Sequence, residues 1–562
     1  MLIKTMEDVL YYGDNLDVLR KYIKSDSIDL IYLDPPFNSQ ANYNILFKEA
    51  EATDAGGREN SKAQIQAFTD FWTWDSEVQK TFEYLTTNKE VPTKITDLIL
   101  ALERLLGKNS MSAYLVMMTV RLIEMRRVLK PTGSLYLHCD PTASHYLKIV
   151  LDSVFEPKQF VNEIIWQRTN SKGLAFTRFP TNHDVILRYS KSAKWTWNPQ
   201  YTPHNPIYLE KFYRHVEPET GRRYRLDNLA NPNKDRPNLT YEFLGVTRVW
   251  RWTKDRMTEA YNNGLVVQTR VGGVPALKRY LDEQEGTPVG DIWTDILPVQ
   301  SQANEGLGYP TQKPVALLRR IIAASSNPED VILDPFCGCG TTIDAVEKIN
   351  IETGSNRKWI GIDVTHLAIN LIKRRIRDKY PSARFDVIGE PKDLEGAKQL
   401  ALNDRYQFEW WALSLIDARP INDKKKGSDR GIDGIIYLLD PNSQTTKTVL
   451  VQVKSGHVNS SHIRDFKGTL ERERAKFGIF ITLEEPTKDM KEEVLTYGFE
   501  ESPIGHEQIP KIQILTIKDL LDGVKPKVLF VNISYKKAEK DKDKKGRPIT
   551  LRKHGKNKKL LE

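Results

Sequence analysis

Short apolar runs that end at an acidic residue recur along the chain, and stretches with helical spacing separate them. The three clearest runs and the acids that follow them are Ile28–Leu33 with Asp34, Val331–Leu333 with Asp334, and Trp359–Ile362 with Asp363. Such runs are typical of buried parallel strands. The spacing over Leu16–Ile23 and Tyr114–Leu129 predicts helices. The alternation predicts an α/β fold whose strands present their carboxyl ends at one edge, where such sheets bind ligands.

The first acid begins the motif Asp34-Pro35-Pro36-Phe37. Proline holds φ at about −65° and has no N–H group, so this turn presents Asp34 and Phe37 stiffly at the end of a strand. A carboxylate, free carbonyl groups and a flat ring suit a planar ligand that carries an amino group. A rigid turn without a ligand is the alternative that this motif alone leaves open.

A glycine-rich turn follows the second acid. Cys337-Gly338-Cys339-Gly340 lies between a predicted strand and a predicted helix, and Asp363 ends the next strand about 23 residues after Gly340. Glycines let the backbone approach a ligand, and an acid at this distance accepts ribose hydroxyls. The layout predicts a site for a nucleoside-containing cofactor, with a purely structural turn as the alternative. Gly-Lys-Ser/Thr is missing, so the turn is not a phosphate-binding loop.

Residues 190–300 lack the alternation and are rich in Arg, Tyr, Trp, Asn and Pro. Two stretches stand out, Arg222-Arg223-Tyr224-Arg225 and Arg248-Val249-Trp250-Arg251-Trp252. Arginine contacts phosphates and base edges, and aromatic rings stack on bases. These residues therefore predict a substrate-recognition insert. The alternative is a structural insertion whose aromatic residues form a small core.

Residues 386–535 contain a second candidate site. Asp433 heads one predicted strand, Gln452 and Lys454 lie in the next, and Glu409 lies in a predicted helix. Such a cluster can bind a divalent cation and place a lysine beside a scissile phosphate. The pattern predicts a nuclease-type site in which Asp433 and Glu409 are the metal ligands. Two surface strands with ordinary charges are the alternative.

Composition and charge indicate a globular protein with a basic end. The chain has 562 residues, of which 40% are hydrophobic and 28% charged, which predicts two to four domains. The net charge is +9, and residues 536–562 alone carry +8. This tail is either a phosphate-binding arm or a solvated, disordered end. With three cysteines, no signal-peptide core and no apolar run of membrane-spanning length, we expect a cytoplasmic protein without a membrane segment.

Residues 11–380 resemble the amino-methyltransferases of DNA, in the permuted (beta) group whose catalytic motif precedes the cofactor motif. Five ordered motifs carry the resemblance: Tyr12-Gly13-Asp14-Asn15, Asp34-Pro35-Pro36-Phe37, Tyr309-Pro310-Thr311-Gln312-Lys313-Pro314, Asp334-Pro335-Phe336-Cys337-Gly338-Cys339-Gly340-Thr341-Thr342 and Asp363. The modification subunits of type III restriction systems, which methylate adenine, are the most similar group. The resemblance implies a Rossmann-like, S-adenosylmethionine-dependent methyltransferase sheet with residues 190–300 as its target-recognition region.

The resemblance also implies a role for each matching residue. The implied catalytic residues are Asp34, Pro35, Pro36 and Phe37, with Phe37 stacked on a base flipped out of double-stranded DNA. The residues implied to bind S-adenosylmethionine are Asp14, Thr311, Lys313, Pro314, Asp334, Phe336, Gly338, Gly340, Thr341 and Asp363. The N6 amine of adenine is the implied acceptor, and the N4 amine of cytosine is the alternative. Methylation at cytosine carbon-5 is disfavoured because it needs a cysteine nucleophile, typically in a Pro-Cys setting, and no such setting occurs.

The second candidate site resembles the Mrr-like branch of the PD-(D/E)xK nucleases. Glu409, Asp433, Gln452 and Lys454 match its pattern, with Gln452 where the wider family has an acid. The resemblance implies a smaller α/β, restriction-endonuclease-like domain that cleaves DNA with Mg²⁺. A domain that only binds DNA, attached to a solitary modification enzyme, is the alternative.

The predicted organisation is a methyltransferase domain at 1–385, the nuclease-like domain at 386–535 and the basic tail at 536–562. Together these domains predict one restriction-modification polypeptide that acts on double-stranded DNA. No helicase motif occurs in the chain. The sequence leaves open a homodimer, or a separate restriction or helicase subunit, as a further partner.

Overall fold

The structure, a computed structural model, describes residues 8–36, 42–46, 64–69, 72–171, 177–299, 305, 307, 312–421, 431–439, 446–501, 508–527 and 531–532. The chain divides into two compact units, Asn198–Asp291 and the residues on either side of it. Among the described residues, no helix has both the length and the apolar character needed to cross a membrane. Phe37, Thr311 and the basic tail, all named in the sequence predictions, lie outside the described residues.

A nine-stranded sheet forms the centre of the larger unit. Its strands are β1 (Asp8–Tyr12), β2 (Ile28–Leu33), β3 (Leu129–Cys139), β4 (Phe160–Gln167), β5 (His183–Ser190), β6 (Ile292–Trp293), β7 (Val331–Asp334), β8 (Lys358–Asp363) and β9 (Phe385–Ile388). Their spatial order is β6–β4–β5–β3–β2–β7–β8–β1–β9. Strand β5 runs antiparallel to both neighbours, and the other pairs are parallel. The predicted α/β fold class is confirmed.

Helices connect these strands and bury their apolar faces against the sheet. They are α1 (Asn15–Tyr22), α2 (Ser76–Thr87), α3 (Thr93–Leu106), α4 (Ser110–Val128), α5 (Pro141–Phe155), α6 (Val315–Ser325), α7 (Thr341–Thr353) and α8 (His366–Lys379). Helix α4 is buried on nearly all sides of its first three turns, because α1, α2, α3 and α5 all pack against it. Outside the sheet, Asn42–Leu46 pairs with Gln64–Thr69, and Pro157–Gln159 is a short 3-10 helix.

The unit Asn198–Asp291 is built from short antiparallel pieces around its own small core. Its strands are Tyr201–Thr202 with Thr287–Pro288, Thr240–Phe243 with Val246–Val249, and a four-stranded sheet of Val266–Val267, Ala276–Tyr280, Arg223–Asn228 and His215–Val216. Its helices are Pro206–Phe212 and Lys254–Asn262, with 3-10 turns at Pro237–Leu239 and Leu281–Glu283. The core contains Leu229, Phe243, Trp250, Met257 and Val266.

A second mixed sheet organises the C-terminal part of the larger unit. Its strands are β10 (Arg419–Pro420), β11 (Gly434–Leu439), β12 (Thr446–Lys454), β13 (Phe477–Thr482), β14 (Ile512–Thr516) and β15 (Val531–Asn532). Strands β11 and β12 form an antiparallel pair, and β12, β13 and β14 are parallel. The helices are α9 (Leu394–Asn403), α10 (Arg405–Ser414), α11 (Ser460–Arg472), α12 (Lys488–Thr496) and α13 (Ile517–Leu521), and Phe499–Glu501 pairs with Gln508–Pro510. Helices α10 and α11 contribute to two different apolar clusters, which use alternate residues of the same strands.

Candidate active site at the carboxyl edge of the large sheet

Three aspartates mark the carboxyl ends of three adjacent parallel strands. Asp34 directly follows β2, Asp334 ends β7 and Asp363 ends β8. Strand β7 lies between β2 and β8 and is hydrogen-bonded to both. The sheet therefore brings the predicted catalytic acid and the predicted cofactor acids to one edge, although they are distant in the chain.

The two oxygens of the Asp34 carboxylate differ in their contacts with the described residues. Lys313 Nζ lies 2.5 Å from Asp34 Oδ2 in an ion pair. Asp34 Oδ1 is buried and has no hydrogen-bond partner among the described residues. An unpaired buried acceptor costs roughly 1–3 kcal/mol, so Oδ1 is suited to a donor that arrives with the substrate. Pro35 is buried and Pro36 half-buried beside this carboxylate.

Lys313, a predicted cofactor-binding residue, directs its ammonium group to the carboxylate of Asp34. The segment that carries it is held by Gln312, whose Nε2 donates to Glu305 O at 2.7 Å. Pro314, also predicted to bind the cofactor, is the residue before the first turn of α6. Because Lys313 is 7% exposed, its charge acts almost entirely within the protein.

Asp334 holds both sides of the glycine-rich turn. Its Oδ1 accepts a hydrogen bond from Phe336 N at 3.1 Å, and its Oδ2 accepts the hydroxyl of Thr342. The pKa of Asp334 is raised to about 7, chiefly by burial and further by the negative charges of Asp34 and Asp363. The predicted cofactor residues Asp334 and Phe336 therefore shape the turn from within.

Gly338 and Gly340 have backbone conformations that other residues rarely adopt. Their φ angles are +49° and +74°, in the left-handed region that favours glycine. A Cβ on Gly340 would also lie 2.7 Å from Ile372 Cγ1. Thr341 is buried and begins α7 directly after the turn. A glycine turn that opens a helix, followed by an acid at the end of the next strand, fits the adenosyl part of S-adenosylmethionine.

Asp363 faces the same turn. Its Oδ2 accepts from Gly338 N at 2.9 Å, and its Oδ1 accepts from the backbone and hydroxyl of Thr365 at 2.9 and 2.8 Å. Burial raises the pKa of Asp363 to about 6, although these hydrogen bonds lower it. The carboxylate is fixed in orientation while the residue stays partly exposed, as an acid that holds ribose hydroxyls requires.

Asp14, predicted to bind the cofactor, caps α1. Its Oδ1 accepts from Leu16 N at 2.8 Å, and its Oδ2 pairs with Arg121 Nη2 at 2.6 Å. Asn15 accepts from Arg121 Nε at 2.6 Å and donates to Pro335 O at 2.8 Å. The motif that contains Asp14 is thus tied to the glycine-rich turn through Asn15.

Arg375 supports that turn from α8, and the sequence analysis did not single it out. Its Nη1 donates to Cys339 O at 2.9 Å, and its Nη2 pairs with Asp344 on α7. Asp344 also accepts from Lys379 Nζ at 2.8 Å. A basic residue within a helical pattern carries no local signal of such a contact, because its partner is more than thirty positions away.

A buried polar chain lies beneath Asp34 and was also missed. Tyr32 Oη lies 2.9 Å from His138 Nδ1, and His138 Nε2 lies 3.2 Å from Asp184 Oδ2. Arg168 Nε approaches the other oxygen of Asp184 at 3.3 Å. Burial raises the pKa of Asp184, but the hydrogen bond to His138 and the nearby cations outweigh it, so the net shift is downward. Tyrosine and histidine within apolar runs were the available signal, since such positions usually hold apolar residues.

Within the unit Asn198–Asp291, some residues of the basic, aromatic stretches form a small core, and others are exposed as a substrate-recognition surface would require. Trp250 is fully buried in the core of that unit. Arg222 forms an ion pair with Asp282 at 2.7 Å, so its charge is compensated. Arg248 and Arg251 lie exposed at the end of the hairpin that leads to Trp250. The exposed arginines are the members of this stretch that suit a polyanion.

In the C-terminal sheet, three of the four predicted nuclease residues share one end of the β11–β12 pair. Asp433 directly precedes β11, while Gln452 and Lys454 lie at the end of β12. The carboxylate of Asp433 accepts from Val453 N at 2.7 Å, and its backbone N–H donates to Val451 O at 2.9 Å. The predicted common edge is present, with one oxygen of Asp433 bound to the sheet.

The fourth residue, Glu409, lies on α10, where Arg405 Nε is 3.2 Å from its Oε1. Gln452 Oε1 is buried without a hydrogen-bond partner among the described residues. Across the part of the chain that the structure covers, no group of three or more His, Cys, Asp or Glu side chains is arranged to hold a metal ion. This finding gives the predicted Mg²⁺ site no support.

Comparison with protein families matches two parts of the chain. Residues 28–374 match a family model described as DNA methylase, of the N6/N4 methyltransferases. Residues 406–522 match a model described as NACHT-associated inactive Restriction Endonuclease 1. The first match contains the three aspartates of the sheet edge, and the second contains Glu409, Asp433, Gln452 and Lys454.

Curated relatives are similar over the first of these parts. Type II methyltransferase M.EcaI of Enterobacter cloacae is 30% identical, over 53% of this chain and 65% of the relative. The StyLTI Mod subunit of Salmonella typhimurium, a type III restriction-modification enzyme, is 25% identical, over 64% and 52%. The DNA adenine methyltransferase YhdJ of Escherichia coli K12 is 25% identical, over 65% and 82%. The chain thus spans about half to two thirds of the first two. Because the DNA methylase model matches more than half of its residues, the chain belongs to the N6/N4 DNA methylase family.

Proposed function

We propose that this protein transfers a methyl group from S-adenosylmethionine to the N6 amine of an adenine in double-stranded DNA. The observation that carries the proposal is the state of Asp34, whose Oδ2 is paired with Lys313 while its Oδ1 is buried and free of a partner among the described residues. A free, fixed carboxylate oxygen next to a nucleoside-type glycine turn suits an amine that must react with a group on that nucleoside.

Asp34 activates the amine by accepting one of its N–H groups. The lone pair of an exocyclic base amine is delocalised into the ring, so the amine is a weak nucleophile. An N–H bond to Oδ1 directs the lone pair away from the ring and holds the proton that the amine loses once it carries the methyl group. S-adenosylmethionine, when bound, supplies an electrophilic methyl group on a positively charged sulfur. In our proposal the Pro35 carbonyl accepts the second N–H.

The acceptor base must leave the DNA stack to reach Asp34. Asp34 Oδ1 is a buried atom, and a base stacked within a duplex cannot reach it, so we propose that the target adenine is flipped. Phe37, the residue that would stack on the base, lies outside the described residues. In our proposal the unit Asn198–Asp291 recognises the target sequence.

Adenine is proposed over cytosine because the motif Asp34-Pro35-Pro36-Phe37 resembles adenine-methylating enzymes and a relative named as a DNA adenine methyltransferase is similar over 65% of the chain. The N4 amine of cytosine is the second candidate. Carbon-5 of cytosine is disfavoured further, because Cys139, Cys337 and Cys339 are all buried and burial raises the pKa of each thiol. The thiolate that such chemistry needs is therefore suppressed.

The test is methyl transfer by Asp34→Ala. The full-length variant and the wild type are incubated with unmethylated DNA and S-adenosylmethionine labelled on the methyl group, and the modified base is identified after digestion of the DNA. We expect the wild type to produce N6-methyladenine, and Asp34→Ala to bind S-adenosylmethionine with at most a small loss of affinity but produce none. Transfer by Asp34→Ala at the wild-type rate would refute the role of Asp34, and N4-methylcytosine as product would select the second candidate.

For the C-terminal domain we propose an absence of DNA cleavage. Glutamine stands at position 452, one Asp433 oxygen binds Val453 N and Glu409 is paired with Arg405. The matching family model, described as an inactive endonuclease, supports this proposal. Mg²⁺-dependent cleavage by an Mrr-like nuclease is the alternative. Unmethylated plasmid incubated with the intact protein and Mg²⁺ should stay intact, whereas cutting that is lost in Lys454→Met would establish the alternative.

In this proposal the chain is a cytoplasmic modification enzyme of the permuted group. Its catalytic motif precedes its cofactor motif in the chain, as in the resemblance described above. Similarity to a type III Mod subunit over part of that subunit's length makes a separate restriction subunit a candidate partner, and a homodimer is the other. Size-exclusion chromatography with light scattering of the purified chain separates the homodimer from the monomer.

A further inference from the structure

The C-terminal domain contacts the helix that follows the cofactor acid. Helix α8 begins at His366, only three residues after Asp363. The first amides of a helix have no acceptor within the helix itself. Here the His366 N–H donates to Gln407 Oε1 at 3.1 Å, and Gln407 belongs to α10. The C-terminal domain therefore supplies an acceptor for the first amide of this helix.

The same helix end fixes the carboxylate of Asp363. Thr365 donates its backbone N–H and its hydroxyl to Asp363 Oδ1, and its hydroxyl oxygen accepts from Ala368 N at 3.3 Å. Thr365 and His366 are adjacent, so a shift of the His366 amide moves the two donors that hold Asp363 Oδ1. Gln407 is thus linked to Asp363 through the backbone of His366 and Thr365.

His366 also links this helix end to the other side of the predicted cofactor site. Its imidazole is fully buried and stacks on the ring of Tyr12, with ring centroids 3.7 Å apart and an interplanar angle of 24°. The next residue, Gly13, donates its N–H to Asp363 O at 2.9 Å. Tyr12 and Gly13 begin the motif that contains Asp14, a predicted cofactor-binding residue, so His366 contacts this motif as well as following Asp363 in the chain.

A second contact joins α8 to the segment just after α10, far from this end. Arg377 Nη2 on α8 is 3.7 Å from Asp417 Oδ1, just beyond α10, and both side chains are mostly exposed. An exposed pair of this kind contributes little to stability. The two contacts join the same parts of the chain, but only the Gln407 contact adjoins Asp363.

We propose that Gln407 is a positioning residue through which the C-terminal domain holds the ribose-binding turn, so that this domain supports the affinity for S-adenosylmethionine without chemistry of its own. The inference rests on the proposed function, because it takes S-adenosylmethionine as the ligand of that turn. It assigns the nuclease-like domain a role at the cofactor site that is independent of DNA cleavage.

The test compares S-adenosylmethionine binding by full-length variants in isothermal titration calorimetry. Gln407→Met keeps the length of the side chain but removes the acceptor, and we expect its Kd to rise by about five- to tenfold, because a misoriented Asp363 loses about one hydrogen bond to the bound cofactor. Gln407→Glu keeps an acceptor oxygen and should restore most of the affinity. Arg377→Ala, the matched control at the other contact, should bind like the wild type.

Steady-state kinetics separates positioning from general damage. In Gln407→Met the KM for S-adenosylmethionine should rise while kcat at saturating cofactor stays near the wild-type value. Should Gln407→Met fail to fold, Gln407→Asn withdraws the acceptor by one methylene group and carries the same expectation. Wild-type affinity in the folded acceptor-removing variant, or an equal loss in Arg377→Ala, would overturn the inference. Failure of the wild type to bind S-adenosylmethionine would instead overturn the proposed function.

Discussion

Lys313 Nζ and Asp34 Oδ2 form a partly buried ion pair between residues that are 279 positions apart. Asp34 belongs to the motif that predicts the catalytic site, and Lys313 belongs to the motif that predicts a cofactor contact. Their pairing leaves Asp34 Oδ1 as the oxygen free of a partner among the described residues. In the proposed function, this pairing leaves Oδ1 as the oxygen that accepts the N–H of the substrate amine.

Replacement of Lys313 by methionine should lower kcat on the order of 10²-fold, because a carboxylate that can rotate no longer holds the amine in the reactive geometry. The measurement is single-turnover methyl transfer at saturating S-adenosylmethionine. The matched control is Lys130→Met, which removes a Lys–Asp pair with Asp29 on the same strand β2. An unchanged single-turnover rate in Lys313→Met would show that Asp34 needs no partner to stay oriented.

The raised pKa of Asp334 predicts a pH dependence of stability. Its folded-state pKa is about 7, above the roughly 3.9 of an unfolded aspartate, so the folded protein holds this proton more tightly. Its contribution is fully present below about pH 4 and is lost as pH rises toward 7, by up to about 1.4 kcal/mol per pH unit. Asp334→Asn should remove this part of the slope.

Urea denaturation at pH 5, 6 and 7 measures the effect of Asp334. We expect the free energy of unfolding of the wild type to fall across this range more steeply than that of Asp334→Asn. Asp17→Asn, at an exposed acid on α1, should follow the wild type. Parallel curves for the wild type and Asp334→Asn would mean that the Asp334 carboxyl is already ionised at pH 5.

The two glycines at the ends of α7 provide a matched pair. Alanine at Gly340 meets both a positive φ and Ile372 Cγ1 at 2.7 Å, whereas alanine at Gly354 meets a φ of +66° and no other atom within 4 Å. The left-handed conformation alone costs about 1–2 kcal/mol. Gly354→Ala should lose about that much stability and keep its affinity for S-adenosylmethionine.

Gly340→Ala should lose more stability and weaken S-adenosylmethionine binding at least tenfold, because the turn must move to relieve the clash with Ile372. Thermal unfolding with calorimetric titration of both variants distinguishes the two positions. Equal cofactor affinity in Gly340→Ala and Gly354→Ala would remove the glycine-rich turn from the binding site.

Two arginines of the unit Asn198–Asp291 should differ in their effect on DNA binding. Arg248 is exposed, whereas Arg222 is paired with Asp282 and Glu283. Arg248→Ala should weaken DNA binding and reduce the slope of log K against log salt concentration by about one, the value of one phosphate contact. Arg222→Ala should leave that slope unchanged. Fluorescence anisotropy over a salt series measures both, and an unchanged slope in Arg248→Ala would exclude Arg248 from the interface.

The local pattern was sufficient to predict the strands and turns of the site. The run Ile28–Leu33 is a strand with the predicted bounds, and Gly338 and Gly340 take the positive φ angles that their turn needs. The strand and the turn could be predicted from consecutive residues alone. The apolar run that marks a buried strand spans a few neighbouring positions, and the positive φ of a glycine is a property of that residue.

The pattern of apolar and polar positions could not predict which side chains from distant segments contact each other. The aromatic and basic residues of the insert divide into the buried Trp250, the paired Arg222 and the exposed Arg248, although all three lie in similar stretches of sequence. Likewise, Tyr32 and His138 carried no predicted role until adjacent strands placed them 2.9 Å apart. Composition reports residue types, whereas burial and pairing depend on what packs against each side chain.

The sequence by itself determined the α/β fold class, the chain positions of the acidic strand ends and the glycine-rich turn. Only the tertiary structure decided that β7 lies between β2 and β8, that Lys313 pairs with Asp34 and that Gln407 reaches His366. The physical reason is that periodicity encodes which face of an element is apolar. The order in which those faces pack, and hence which distant side chains meet, is set by the collective burial of the whole core.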